Sequence, residues 1–116
     1  MASRESPETP VQAQVDAYNA HDVDAFCACY HADVEVFEFP ATQKFHGMDA
    51  FRKVYAALFE RAPSLRVRIR NRVVHGRWVV DEEDVAGMPG KKSMHAVALY
   101  EVEAGLIRRV WFLPSP

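Results

Sequence analysis

Three ionisable side chains on two neighbouring predicted strands could exchange protons with a ligand: Glu82, Asp84 and His95. If a turn at Pro89-Gly90 joins the strands, His95 lies opposite Asp84, and Glu82 lies two residues farther along the same face. A carboxylate beside a histidine can orient the imidazole as a general base or raise its pKa for use as an acid. The sequence therefore predicts an acid-base site, with one alternative left open: His95 and Asp84 form a purely structural pair near the sheet end.

An alternating pattern between residues 65 and 85 predicts the hairpin that carries the two carboxylates. Apolar residues at positions 65, 67, 69 and 73 alternate with arginines at 66, 68, 70 and 72, the period of two of a half-buried strand. A turn at His75-Gly76, or alternatively at Gly76-Arg77, returns the chain along residues 77–85. With either turn the arginines face Asp81 and Glu83 outside, whereas the carboxylates at 82 and 84 point inward. Buried carboxylates need partners or water, so the pattern predicts a hollow inside the sheet.

The rest of the chain predicts three helices followed by long strands. Residues 1–8 are polar and predict a flexible tail before a single domain over residues 9–116. Thr9-Pro10 predicts the start of the first helix, Asp22 caps a short second one, and Gly47 leads into the longest, which ends near residue 61. Strands are predicted at residues 34–39, with a short partner around residue 45, and later at 93–103 and 106–113.

Composition excludes several classes of function. A net charge of -2 over 116 residues argues against nucleic-acid binding. No stretch approaches the roughly 18 apolar residues of a membrane span, and the first residues lack a signal-peptide core. Cys27 and Cys29 are too close for an ordinary structural bridge, and the histidines form no spaced pair, so we expect reduced thiols, no metal site and a cytoplasmic protein.

Several motifs follow the same order as in a known fold. They are Tyr18-Asn19-Ala20-His21-Asp22 with Asp24, Ala32-Asp33, Phe39-Pro40-Ala41-Thr42, Gly47, Phe51-Arg52 with Tyr55, residues 100–107 and Trp111-Phe112. With the order of elements, this resembles the nuclear-transport-factor-2-like superfamily, within it the SnoaL-like and ketosteroid-isomerase-like branch. The resemblance spans about residues 9 to 113. It implies an α+β fold: a strongly curved, mostly antiparallel sheet wraps around the long helix as a cone, with a ligand pocket at the open end.

The resemblance also suggests roles for particular residues. Glu38 stands where ketosteroid isomerases carry their general base, and Tyr30 and Tyr55 match tyrosines that support the oxyanion hole in some members. The oxyanion-hole tyrosine of the first helix, however, is replaced by Gln14. The second donor, a protonated aspartate, falls near residues 98–99, which are alanine and leucine. Losing one such donor typically costs about 100- to 1,000-fold in rate, which argues against authentic steroid isomerisation.

These observations predict a small-molecule pocket protein, an enzyme of isomerase, cyclase or dehydratase type that needs no cofactor. Its acid-base groups would be Glu82, Asp84, His95 and Glu38, and its ligand would be small and apolar. The facing of Glu38 stays open, because an inward Glu38 leaves Phe37 outside. The expected pocket lining is Gln14, Tyr18, Tyr30, Tyr55, Phe59, Val80, Val97 and Trp111.

The alternative is a non-catalytic ligand-binding or dimerisation module of the same fold. On both interpretations we expect a homodimer through the outer sheet face. The apolar patch expected there comprises Met94, Ala96, Ala98 and Trp111.

Overall fold

Three helices and one six-stranded sheet make up residues 6–114, the part of the chain that the computed structural model describes. The helices are α1 (Glu8–Ala20), α2 (Val23–Cys27) and α3 (Met48–Arg61). The strands are β1 (Tyr30–Glu38), β2 (Thr42–His46), β3 (Arg66–His75), β4 (Trp78–Ala86), β5 (Met94–Glu103) and β6 (Leu106–Phe112). The sheet order is β2-β1-β6-β5-β4-β3; the β1–β6 pair is parallel and the others are antiparallel. The predicted α+β class with an open, curved sheet is confirmed.

The helix starts follow the local sequence, with one difference. The Asp22 side chain caps α2 by accepting from the Ala25 N–H at 3.0 Å, as predicted. Helix α1, in contrast, begins at Glu8 rather than at Thr9-Pro10, with Pro7 at the cap position and no side-chain cap. Of the tail predicted over residues 1–8, positions 1–5 lie outside the described residues, and Glu8 belongs to the helix.

An aromatic cluster packs between the helices and the inner face of the sheet. Phe26 of α2 lies at its centre, stacked on Phe51 with ring centroids 5.6 Å apart and 4.6 Å from Tyr55. Phe26 and Phe51 are both 1% exposed. Burial of such rings stabilises the fold by about 1.5–3 kcal/mol each, which holds α2 and α3 against the sheet.

The strand pairing agrees with the sequence at two hairpins. In β4–β5, Asp84 lies opposite His95 and Glu82 opposite Val97, as the Pro89-Gly90 turn predicted. The β3–β4 turn is the second of the two predicted alternatives, since His75 pairs with Trp78 across Gly76-Arg77.

A β-bulge in β3 changes which side chains share a face. Ile69 pairs with Glu83 but Asn71 pairs with Glu82, so Arg70 is the extra residue on its strand. Nearer the turn, Arg72 lies opposite Asp81 as expected, whereas beyond the bulge Arg68 lies opposite Asp84. The arginines of β3 are therefore divided between the two faces of the sheet.

The predicted facing of β4 and β5 was wrong. In β4, Val79, Asp81 and Glu83 are buried, while Val80, Glu82 and Asp84 are only half-buried. In β5, Met94 and Ala96 line the inner cavity and Ala98 is fully buried, so these three do not form the expected outer patch. The prediction assumed that residues 67, 69 and 73 share one face. The bulge instead puts Val73 on the face opposite to that of Val67 and Ile69.

Gly87, just after β4, has no room for a side chain. Its φ is +88°, and a Cβ there would lie 2.0 Å from the Ser64 carbonyl oxygen. Gly90 also has a positive φ, +70°, but a Cβ there meets nothing within 4 Å. The Gly87 position therefore requires glycine for two reasons and the Gly90 position for one.

The Gly87→Ala and Gly90→Ala variants separate these reasons. Both variants lose about 1–3 kcal/mol to backbone strain, and Gly87→Ala is destabilised by roughly 1–3 kcal/mol more because of the clash. Urea unfolding of both variants measures the difference in the free energy of unfolding. Equal losses would contradict the close packing of Gly87 on Ser64.

Candidate functional site

A cavity of about 210 Å³ lies between α1, α3 and the inner face of the sheet. Most of its wall is aliphatic or aromatic. Its polar lining consists of the four tyrosines of the chain together with one amide and one carboxyl: Tyr18, Tyr30, Tyr55, Tyr100, Gln14 and Glu83. A mostly apolar hollow with a few converging polar groups is the usual form of a small-molecule site.

Glu83 is the acidic group in this wall. Its side chain comes from the middle of β4, and the residue is 7% exposed. Burial raises the pKa of the Glu83 carboxyl to about 7, and repulsion from Asp81 adds to the rise, while the hydrogen bond from Tyr100 and the charge of Arg72 oppose it. Near neutral pH the carboxyl therefore exists in both protonation states, as a general acid-base group requires.

A chain of polar contacts leads to Glu83 from the helix side. The Tyr30 hydroxyl donates to Gln14 Oε1 at 2.8 Å, and Gln14 Nε2 donates to the Tyr100 hydroxyl at 3.3 Å. The Tyr100 hydroxyl in turn lies 3.5 Å from Glu83 Oε2, a long and weak hydrogen bond. Burial raises the pKa of Tyr30 and of Tyr100 well above the usual value, so both hydroxyls keep their protons.

Tyr18 and Tyr55 add two more hydroxyls to the wall. Burial raises the pKa of each, so both stay neutral. Neither hydroxyl has a hydrogen-bond partner within residues 6–114. Both can therefore donate to an oxygen atom of a ligand.

A buried ion pair holds the strand that carries Glu83. Asp81 is fully buried and accepts two hydrogen bonds from Arg72, at 2.7 Å to Nε and 3.0 Å to Nη2. Arg72 Nη1 also donates to Glu8 Oε2 at 3.2 Å and to Gln12 Oε1 at 2.9 Å, which ties the start of α1 to the sheet. Such bidentate pairing fixes both side chains in one geometry.

The predicted pocket residues divide into two groups. Gln14, Tyr18, Tyr30 and Tyr55 line the cavity. Phe59 is buried behind it, edge-on to Tyr18 with ring centroids 5.4 Å apart. Val80, Val97 and Trp111 do not line this cavity: Val80 pairs with Leu99, and Leu99 with Trp111, across the outer face. Their predicted inward facing was wrong because it rested on the facing of β4.

The predicted acid-base groups Glu82, Asp84 and His95 lie outside the cavity. His95 Nε2 contacts Glu82 Oε2 at 2.7 Å, and Asp84 accepts from Arg68 at 2.7 Å. The His95 side chain is 48% exposed. The predicted register brought these residues together correctly, but on the outer face. The structure therefore moves the candidate acid-base role from these three residues to Glu83.

Sequence reasoning missed Glu83 although its strand carries a signal. Valines at positions 79 and 85 bracket Asp81 and Glu83 on one alternating face, which is as consistent with an inner face as the even positions are. No sequence feature announces the bulge at Arg70 that settles the choice.

Glu38 occupies a different place, at the exposed end of β1. It pairs with Thr42 and Phe112 and lines a second cavity, beside the first, that also contains Lys44. Phe37 faces outward, which the sequence left open, and stacks on Trp111 with ring centroids 5.4 Å apart.

Residues 6–114 contain no cluster of three or more His, Cys, Asp or Glu side chains suited to a metal ion. Cys27 and Cys29 are free thiols in the core, and burial raises the pKa of each. None of the described helices is long and apolar enough to cross a membrane.

A model of the SnoaL-like domain matches residues 11–110. The chain belongs to the SnoaL-like family. This confirms the resemblance to the nuclear-transport-factor-2-like superfamily. A search of curated protein sequences finds no match.

Solved structures share the fold over nearly the whole chain. A cystatin-fold protein from Novosphingobium aromaticivorans is 26% identical with a TM-score of 0.87, covering 96% of this chain and 100% of its own. A proposed polyketide cyclase from Sinorhizobium meliloti is 22% identical with a TM-score of 0.76, covering 90% and 93%. A proposed ketosteroid isomerase from Kribbella flavida is 16% identical with a TM-score of 0.79, covering 95% and 78%. These similarities establish the fold, and SnoaL-like folds carry different chemistries.

The raised pKa of Glu83 predicts a pH-dependent stability. The folded carboxyl holds its proton up to about pH 7, whereas the unfolded one loses it near its usual value of 4.5. Between these values the unfolded state binds fewer protons, so the free energy of unfolding falls as pH rises, by on the order of 3 kcal/mol in total.

Glu83→Gln should remove this loss. Urea unfolding from pH 4 to 8 should show the wild-type protein losing stability relative to the variant between about pH 4.5 and 7. Glu60→Gln, which neutralises an exposed carboxylate of α3 that forms no ion pair among the described residues, is the control and should leave the slope unchanged. Parallel profiles for wild type and Glu83→Gln would show that the Glu83 carboxyl titrates normally.

Proposed function

We propose that this SnoaL-like protein binds a small, mostly apolar molecule in the inner cavity and that Glu83 exchanges a proton with it. The observation that carries the proposal is a carboxyl with a pKa of about 7 inside a wall of tyrosine hydroxyls. The apolar surroundings have two effects: they raise the pKa of the Glu83 carboxyl, and they favour an apolar ligand.

The geometry suggests how such a step would proceed. The Glu83 carboxylate takes a proton from a carbon next to a carbonyl group, and the negative charge passes to the carbonyl oxygen. The hydroxyl of Tyr18 or Tyr55 donates a hydrogen bond to that oxygen. The protonated Glu83 then returns its proton to another atom of the ligand. Isomerisation, cyclisation and dehydration all contain steps of this kind.

The names of two structural neighbours are compatible with this proposal. One is a proposed polyketide cyclase and the other a proposed ketosteroid isomerase. The residues differ from the steroid isomerases, however, because Gln14 replaces the donor tyrosine and already bridges Tyr30 and Tyr100. We therefore propose a proton-transfer reaction of the broader type and not steroid isomerisation.

A second candidate function is ligand binding without catalysis. The observation that favours it is the long Tyr100–Glu83 contact of 3.5 Å, together with hydroxyls of Tyr30 and Tyr100 that are already engaged within the wall. A carboxyl held in this way could serve as a hydrogen-bonding anchor for a ligand.

We also propose that the protein forms a homodimer through the outer face of the sheet, with a patch that differs from the predicted one. The half-buried apolar residues on this face include Phe37, Trp78, Val80, Val97, Leu99 and Trp111. Contiguous apolar patches of this kind are unusual on monomers, and pairing them across a two-fold axis removes them from water.

A proton-exchange assay tests the catalytic proposal. In D₂O, the protein should accelerate deuterium uptake at the acidic carbon of a cyclic ketone such as 2-tetralone, followed by NMR. The rate should rise with pH through about 7 as Glu83 ionises, and Glu83→Gln should lower it about 100-fold or more.

Glu82→Gln is the control and should retain the exchange rate, because Glu82 lies on the outer face. Saturable binding of the ketone without protein-dependent exchange would assign the protein to the binding module instead. An exchange rate unchanged in Glu83→Gln would reject Glu83 as the acid-base group.

Sedimentation tests the proposed dimer. The wild-type protein should sediment as a dimer at micromolar concentration, and Trp111→Glu should sediment as a monomer because it places a charge in the outer patch. Lys53→Glu, an exposed substitution on α3, should stay dimeric. A monomeric wild type would reject the dimer.

A further inference from the structure

The second cavity, of about 200 Å³, opens directly beside the first. Its wall is formed by the end of β1, the short strand β2, helix α3 and the last residue of β6. Three side chains line both cavities: Tyr55, Leu58 and Phe112. The two spaces are therefore neighbours that have these three residues in common in their walls.

Volume suggests that the two cavities act together. Small-molecule sites usually measure about 300–1,000 Å³. Each cavity alone, at about 210 and 200 Å³, falls below that range, whereas the two together reach it. A shared wall of three side chains can give way by rotamer changes, which cost little compared with movement of the main chain.

The lining changes in character from the inner to the outer end. The inner cavity is lined by Glu83, and the residues that both cavities share are apolar or aromatic. The outer cavity is also lined by the apolar residues Val36, Phe45 and Val54 and by two exposed charged residues, Glu38 and Lys44. Within residues 6–114, no carboxylate lies within 4.0 Å of the Lys44 ammonium.

We propose that one elongated, mostly apolar molecule occupies both cavities, with its proton-exchanging end at Glu83 and a neutral polar group at Glu38 and Lys44. This inference rests on the proposed function of the inner cavity and extends it to the shape of the ligand. A hydroxyl group suits the outer end, because it can donate to the Glu38 carboxylate and accept from the Lys44 ammonium. A charged end group would meet a like charge on one of these two residues.

A homologous series of probes tests the length of the site. We would measure, by calorimetry, the dissociation constants of phenol, of 4-alkylphenols up to 4-hexylphenol, and of 4-(6-hydroxyhexyl)phenol. Phenol places its hydroxyl at Glu83, and the alkyl chain then runs past Leu58 into the outer cavity. Affinity should rise along the series, by up to about fourfold for each methylene that becomes buried. The terminal hydroxyl should be accepted without loss of affinity.

A substitution confined to the outer cavity separates the two parts of the site. Val54 lines only the outer cavity and is 42% exposed, so Val54→Glu should fold. The variant should raise the dissociation constant of 4-hexylphenol at least tenfold and leave that of phenol unchanged. Ala57→Glu, at an exposed position on α3, adds the same negative charge outside both cavities and should affect neither probe.

The outcomes distinguish this inference from the proposal it extends. Affinity that stays flat beyond phenol, or a Val54→Glu variant that weakens both probes equally, would overturn the two-cavity ligand. Phenol binding that Glu83→Gln weakens would still support the inner site. If no probe of the series binds, both the extended site and the inner site are rejected.

Discussion

Asp81 and Glu83 point into the protein from the same strand, two residues apart, and within residues 6–114 Arg72 forms its ion pair with Asp81 rather than with Glu83. Two neighbouring buried carboxylates repel each other, and one guanidinium can satisfy one of them in bidentate geometry. The second must lower its own charge by keeping its proton. Burial of the Glu83 carboxyl, with the repulsion from Asp81 added to it, raises its pKa to about 7, and the character of the cavity follows from this.

The tyrosines fit the same constraint. A carboxyl that is partly neutral at physiological pH tolerates an apolar wall, and neutral tyrosines place hydrogen-bonding groups in that wall without adding charge. Gln14 has the same role, because it accepts from Tyr30 and donates to Tyr100. Membership of the SnoaL-like family accounts for the hollow, whereas the chemistry depends on the groups that this chain places in it.

Much of the fold could be predicted from the sequence because the relevant signals are local. Asp22 caps a helix, Gly47 precedes one, and Pro89-Gly90 sets a turn that fixes the register of β4 against β5 down to the Asp84–His95 pair. The helix-side pocket residues Gln14 and Tyr55 were also found. These depend on periodicity and turn chemistry, which act over a few residues.

The facing of β4 could not be predicted, for a physical reason. Each alternating face of residues 78–85 offers two apolar residues and two acids, so local hydrophobicity favours neither. The choice is made by the bulge at Arg70 and by the contacts of Arg72 with Glu8 and Gln12, more than 50 positions away in the chain. A single extra residue in a strand exchanges its two faces, and with them the candidate site.

Exposed arginines line one free edge of the sheet. Strand β3 is a terminal strand, with one side of its backbone lacking a neighbouring strand, and Arg66, Arg68 and Arg70 are all exposed along it. A second molecule that docked its own β3 there would bring two rows of guanidinium groups together. Electrostatic repulsion between these groups disfavours pairing of two such edge strands and therefore opposes polymerisation of the protein.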